Sequence, residues 1–476
     1  MLGAPIGNET FTKAYIRSKF DACTRTLSLI EQVPEARTRF HLHRVTASVC
    51  RINHVAALTR PEPAVTRLMQ QFDKSQMRHY AKSYNVPLTS AAKAQVRLPI
   101  RLGGHGFTPA APLHFASYAA SLLSAEQLRA DPHGPPDASR QRTLKEADDW
   151  IIEFVKRLHP KFADNVGRPL PEHNADELLT RSDNNLRNVL YQVWCESEAL
   201  FHWKDDAWER WPQPSSHSVA DRRLRLRRHA FLATPATAFL SAHPANVTRT
   251  PSPLWSIMLR RHLDLPVYDD TSQPLSCAEC SSTMDAHGDH GSDLCKKGLG
   301  WTHRHNTVVR IFGHDVFRAA GAGTQYEVPY LVPNLNLRPA DLLVHPLPSH
   351  TSGPTPPMTA FDVTVTSPFA ANALNKAASA PRALANAADD QKRRVLGQRL
   401  LAVPSVPGTP TRLGWAFQPL AFDSLGTPSD GTAKVITEYS ARIAERTGCM
   451  PKTVQTRIYQ NFRYATCSIC AASIMG

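Results

Sequence analysis

Several features are missing from this chain, and each absence closes off a class of protein. No apolar run approaches the ~20 residues that a membrane-spanning helix needs. Met1 to Pro5 has neither the basic flank nor the apolar core of a secretory leader, so a cytosolic or nuclear home is expected, with no membrane partner. No self-similarity at a period of roughly 20 to 50 residues is visible, which argues against a solenoid or propeller. Nine cysteines in 476 residues are sparse, and in a reducing compartment they read as thiols and metal ligands rather than disulfides. Acid is the scarcer charge: 41 Asp and Glu stand against 55 Lys and Arg, for a net +14 and a pI near 9.5. Such an excess favours a polyanionic partner, nucleic acid before a lipid surface. The length exceeds one compact core and implies roughly two to four domains.

What is present changes character along the chain. Residues 1–130 read as helical, with Leu27, Ile30 and Val33 at helical spacing and a break at Arg60-Pro61-Glu62-Pro63. Gly103 and Gly104 mark a turn that needs unusual backbone angles, followed by a small-residue helix over 110–123. Residues 131–250 form a helical linker region, opening on Asp131-Pro132-His133-Gly134-Pro135-Pro136. Trp203, Trp208 and Trp211 beside Lys204 and Arg210 suit either base stacking or burial as anchors, and buried anchors are the commoner case. The run 221–229 carries five arginines. Its helix offers Arg223, Arg225 and Arg227 to phosphates, the alternative being a solvated face.

Residues 251–300 hold the strongest local motif. Cys277 and Cys280 are followed by His290 and Cys295, three thiolates and one imidazole, a complete tetrahedral set for structural zinc. His287 competes with His290, and the four residues between His290 and Cys295 favour the latter. The loop between is polar, so metal binding supplies its folding free energy. Lys296 and Lys297 abut the motif and suit phosphate contact.

Beyond Trp301, a helix is expected over 304–320 and strands over 325–332, 341–345, 360–366 and 414–421. Helices are expected over 371–401, broken at Pro381, and over 432–446, leaving 451–476 as a tail. Asp341 opens one strand and Asp362 lies within the next, so adjacent strands can bring two carboxylates to one divalent ion, Mg or Mn. Glu327 on the preceding strand is a candidate third ligand. The αβββαβ order is that of restriction-enzyme-like nucleases.

Two resemblances accompany these motifs. Leu2-Gly3-Ala4-Pro5-Ile6-Gly7, Phe72-Asp73, Leu98-Pro99, Gly103-Gly104-His105-Gly106 and the stretch 116–121 resemble the palm tail and thumb of non-LTR retrotransposon reverse transcriptases. The Tyr-x-Asp-Asp strand of that enzyme falls upstream of Leu2, so polymerase chemistry is not expected here. The cysteine cluster, Arg304-His305-Asn306, Arg338-Pro339-Ala340-Asp341, Asp362-Val363-Thr364-Val365 and Lys392 resemble the C-terminal region of site-specific members of the same family. There a zinc knuckle precedes a restriction-like endonuclease that nicks target DNA to prime reverse transcription.

The resemblance implies that Asp341 and Asp362 are the metal-binding acids and that DNA, with element RNA, is the partner in the nucleus. It places Arg304 and His305 among the nucleic-acid-binding residues. Three departures stand out: Ala340 separates Pro339 from Asp341, Thr364 occupies the usual lysine position, and Val395 replaces a tyrosine one turn past the catalytic lysine. The lysine role then passes to Lys392, with Lys376 the alternative. The implied fold class is an α+β multidomain chain: an all-α thumb-like region (1–130), the linker region (131–250), the knuckle (251–300), an α/β endonuclease-like domain (301–450) and the tail (451–476). The competing reading is a nucleic-acid-binding remnant that has lost turnover.

Overall fold

The computed structural model describes residues 5, 7–48, 52–127, 138–158, 186–210, 212–233, 237–242, 250–268, 275–295, 297, 299–329, 331, 340–345, 358–401 and 415–475. They are mostly helical, with one small mixed sheet, an α+β chain. Two compact units emerge, one of 1–207 with 249–265, the other of 208–248 with 266–476. The breaks between the units fall at 207/208, 248/249 and 265/266, so the expected linker region, 131–250, is divided between two cores.

The first unit is all helix. Glu9–Glu31 and Pro63–Tyr84 pack through Ile16, Cys23, Phe72 and Met69. Helix Pro63–Tyr84 starts on a proline, whose missing N–H costs nothing at a first-turn position. Asp73 is buried and accepts the Ala110 and Ala111 amides at 2.7 and 3.0 Å, satisfying the exposed donors at the start of Ala110–Gln127. The glycine turn behaves as its sequence requires: Gly103 has φ 86°, and a Cβ on Gly104 would strike the Leu98 carbonyl. Trp203 is buried and donates to the Leu102 carbonyl at 3.3 Å, an anchor rather than a stacking platform.

The second unit is built on four strands: β1 (Gly323–Tyr326), β2 (Leu342–His345), β3 (Met358–Thr366) and β4 (Trp415–Asp423). Their order is β1-β2-β3-β4, antiparallel for the first two pairings and parallel for β3 with β4. Its longer α-helices are α1 (Val219–Ala233), α2 (Leu299–Arg310), α3 (Ala371–Ser379), α4 (Ala383–Leu401), α5 (Asp430–Thr447) and α6 (Pro451–Met475). The crossover from β3 to the parallel β4 carries α3 and α4, as a parallel pairing demands. Alternation along β3 sends Phe361, Val363 and Val365 into a core with Leu342, Leu420, Phe312 and Ile436.

Three expectations need correction here. The strand expected over 325–332 ends at Tyr326, because Glu327 takes a left-handed φ of 46°. The helix expected to 320 is α-helical to Arg310 and then widens into a π-helical stretch, Ile311–Arg318. Residues 451–475 are no tail: α6 runs 25 residues and buries Val454, Ile458, Tyr459 and Phe462 in the main core. Pro451 at its first turn and apolar residues three and four apart were the available signal.

Candidate functional site

The cysteine motif folds as two short turns facing each other. The Cys277 amide donates to the Ser282 carbonyl at 2.8 Å and Ser276 bridges Thr283, closing a tight loop around Cys277 and Cys280. A one-turn π-helix, His290–Leu294, then supplies His290 and delivers Cys295. The Asp285 carboxylate accepts the amides of His287, Asp289 and His290 at 3.0, 3.0 and 2.7 Å, fixing the turn that presents the imidazole.

The ligand atoms of Cys277, Cys280, His290 and Cys295 all lie within 4.8 Å of one another. Cys277 and Cys295 sulfurs are 3.7 Å apart, and Cys280 Sγ lies 3.0 Å from His290 Nε2. Tetrahedral zinc with bonds of ~2.3 Å would set its sulfurs about 3.8 Å apart. The donor set and spacing therefore suit a metal, and His290, not His287, belongs to the group. The hydroxyl and amide of Ser282, with His290 and Cys295, hold the Cys280 thiol down at about 6, close to its ligating thiolate form.

The loop is tied down by acids that the sequence reading passed over. Asp289 pairs with Arg223 at 2.5 Å, and Asp293 pairs with Arg304 at 2.6 Å. Arg304 is 1% exposed and also donates to the Ser292 carbonyl at 2.9 Å and to Cys470 Sγ at 3.4 Å. It joins the cysteine loop to α6 and so cannot reach a phosphate backbone.

Arg223, Arg225 and Arg227 are corrected on the same ground. Leu226 on α1 is buried with Leu374 and Ala377 of α3, which turns the helix toward protein. Arg227 is 3% exposed, Arg223 lies over the Phe369 ring as well as on Asp289, and Arg225 lies over Trp208. Lys297 is exposed, whereas Lys296, Trp211, Arg338 and Pro339 fall outside the described residues.

The acid site lies elsewhere in the same unit. Leu342 pairs with Phe361 at the end of the antiparallel β2–β3 register, and Asp341, just before β2, donates its amide to the Phe361 carbonyl at 2.9 Å. Its carboxylate accepts the Val363 amide at 2.6 Å and neighbours that of Asp362. The sheet face turned away from the main core carries Asp362, Thr364 and Thr366, since the intervening residues of β3 fill that core. α4 crosses the same face, with Leu396 packed against Leu343, Ala360 and Trp415. Lys392, one turn earlier, places Nζ 2.7 Å from Asp362 Oδ2. Arg393 keeps α4 in phase by pairing with Asp389 at 2.7 Å and with the Gln418 side chain at 3.0 Å. A cleft of about 240 Å³ opens beside Asp362, lined by Thr364, Thr366, Gln391, Lys392 and Val395.

Electrostatics separates the two acids. Burial pushes Asp362 up to about 6, Lys392 pulls it back, and the neighbouring Asp341 pushes again. Burial acts on Asp341 too, but His305 and the Val363 amide outweigh it and hold Asp341 below the usual carboxylate range. His305 Nε2 lies 3.2 Å from Asp341 Oδ2, so His305 belongs to this site, a membership the sequence reading missed. Glu327 sits opposite Asp341 and donates its amide to the Asp341 carbonyl at 2.9 Å, but its side chain is exposed. Among the described residues no triad of acids draws as close as the cysteine cluster does, so Glu327 does not complete a three-carboxylate site. Lys376 is exposed on α3, and among the described ion pairs it is Lys392 that meets Asp362.

Compared with known proteins, the chain matches no family model and no curated sequence. No helix among the described residues is long and apolar enough to cross a membrane.

Proposed function

We propose that the second unit is a metal-dependent DNA endonuclease of restriction-like architecture, the module that nicks target DNA for a non-LTR retrotransposon protein. The observation that carries this reading is the neighbouring of the Asp341 and Asp362 carboxylates, with Lys392 at 2.7 Å from Asp362. Two adjoining acids, a cation from the following helix and an open cleft are the parts that phosphodiester hydrolysis needs.

Asp341 and Asp362 are the residues that would hold Mg or Mn. Such an ion, when bound, supplies charge neutralisation at the phosphate and a more acidic attacking water. Lys392, paired with Asp362 beside the cleft, would orient the nucleophile and balance charge developing on the phosphate. Both carboxylates must be ionised to hold a cation. With Asp362 raised to about 6, divalent-ion binding should weaken as pH falls through that value. The cysteine cluster, as structural zinc, would hold the 275–295 loop and α2 in place. DNA, with element RNA, is the partner this reading implies, and the nucleus its setting.

The competing reading, a nucleic-acid-binding remnant, draws on Val395. It lines the cleft one turn past Lys392, where the resembling family carries tyrosine. Supercoiled plasmid, magnesium and the full chain decide between them. Expected is nicking that Lys392→Ala reduces by at least about a hundredfold with DNA affinity retained, the scale of losing one transition-state contact. Lys376→Ala should nick like the parent. Absence of any nicking by the parent in magnesium or manganese would favour the remnant.

A further inference from the structure

We infer that His305 is a positioning residue that reserves one oxygen of Asp341 for a divalent cation. The inference rests on the endonuclease reading and adds a residue to it. An ionised carboxylate oxygen has two lone pairs in the plane of the group. On Asp341, Oδ2 takes the Val363 amide at 2.6 Å and His305 Nε2 at 3.2 Å, so both directions at that oxygen are filled. Oδ1 is the oxygen that neither of these two donors takes, on a carboxylate that neighbours Asp362. Without the imidazole, Oδ2 would retain the Val363 amide alone, and the carboxylate would be free to offer either oxygen.

The imidazole is itself held. Its Nδ1 lies 3.3 Å from the Asn306 side-chain oxygen, and the ring is half-buried on α2. With the Asn306 amide turned to donate to Nδ1, the neutral ring carries its proton on Nε2 toward Asp341; with Nδ1 donating to the Asn306 oxygen, the protonated ring does so. α2 in turn is fixed by its neighbouring residue: Arg304 is buried on Asp293 of the cysteine loop. Consecutive residues of one helix thus serve two sites, Arg304 locking the helix and His305 aiming a carboxylate. Hydrogen-bonding partners behind a metal ligand commonly govern affinity by about ten- to a hundredfold. A ring donor at a fixed distance meets that requirement without touching the cation.

The test is Mn2+ binding to the full, zinc-loaded chain without DNA, followed by electron paramagnetic resonance, with Asp362→Ala as the site-null control. His305→Phe keeps the ring volume and removes the donor, and should weaken binding at least about tenfold with an unchanged melting temperature. His305→Gln restores a nitrogen donor near the Nε2 position and should bind within about threefold of the parent. A purely structural role for the ring predicts the reverse pattern, with Phe tolerated and Gln not. If Phe proves unstable, His305→Ala is read against Gln in the same way. Parent-like Mn2+ binding by the folded donor-less variant would overturn the inference while leaving the endonuclease reading intact. Failure of the parent to bind Mn2+, or retention of full binding by Asp362→Ala, would overturn the endonuclease reading itself.

Discussion

In the cysteine loop, four ligands come from one polar stretch, 277–295, in which Gly, Ser, Asp and His fill the space between them. At the acid site, the two carboxylates come from strands whose other faces lie in the main core with Leu342, Phe361 and Val363. The first site is held by its ligands, Asp285, two arginine–aspartate pairs and the close approach of Gly288 and Gly291 to Ile474 and Ser473 of α6. The second is shaped by the sheet, and its charges are already answered by His305 and Lys392. A metal in the loop would therefore be part of the fold, whereas one between the acids would be part of the chemistry alone. Removing a ligand should consequently have opposite results at the two places.

The largest effect belongs to the loop. Cys280→Ser, or removal of zinc by a chelator, should cost the loop its structure, since structural zinc commonly supplies ~10 kcal/mol or more to a small site. Hydrogen exchange should show protection lost over 275–295 and weakened in the neighbouring part of α6, with helices Glu9–Glu31 and Pro63–Tyr84 unchanged. Elemental analysis should return about one zinc per chain. Full protection over 275–295 in zinc-free protein would mean that the loop holds itself and that the contrast is false.

A smaller effect of opposite sign is expected at the acid site. Asp362 is raised above its unfolded value, so the folded chain holds that proton more tightly than the unfolded chain does. Its contribution to stability is complete below about pH 4 and is lost as pH rises through about 6. Asp341, held low, acts the other way: its contribution is present above about pH 4 and fades as pH falls further. In metal-free protein, Asp362→Asn should therefore flatten the loss of stability between pH 4 and 6, at about 1.4 kcal/mol per unit of pKa separation. Denaturant midpoints at pH 4.5 and 7 measure it. An Asn variant that is less stable than the parent at pH 7 would show that the ion pair with Lys392 outweighs the burial of the carboxylate.

The contrast also explains which parts were legible in the sequence. Cys277, Cys280, His290 and Cys295 could be read because ligands so close in the chain are necessarily close in space. Asp341 and Asp362 could be read as neighbours because one stands at the start of a strand and the other within the strand that pairs with it. Lys392 was readable as a candidate, but its separation from Lys376 needed the phase of α4, which Arg393, Asp389 and Leu396 set through contacts distant in sequence. His305 and Arg304 were misassigned for one reason. Adjacent basic residues on a helix look alike in sequence, and only packing reveals that one enters the cysteine loop and the other meets an acid. Helix α6 went unread because its apolar residues alternate with Arg, Gln and Asn, although their spacing of three and four was there to be counted.

The smallest expected effect concerns the arginine run of α1. A helix with five arginines in a chain of +14 invites a phosphate-binding role, and three contacts would contribute about three to the log–log salt slope of DNA binding. The structure turns those side chains to other work. Arg223 supports the cysteine loop through Asp289, Arg225 covers Trp208, and Arg227 is buried. Replacing all three with Gln should therefore lower stability, because breaking a buried pair strands its partner charge, yet leave the salt slope where it was. Exposed Lys297 and Arg394 should behave in the opposite way, each lowering the slope by about 0.9 with little change in melting. Fluorescence anisotropy on a nonspecific duplex across a salt series, paired with thermal melts, measures both quantities. A slope that drops by about three in the Gln variant would mean that α1 turns outward to meet DNA, and that the loop it supports in this structure is released when it does.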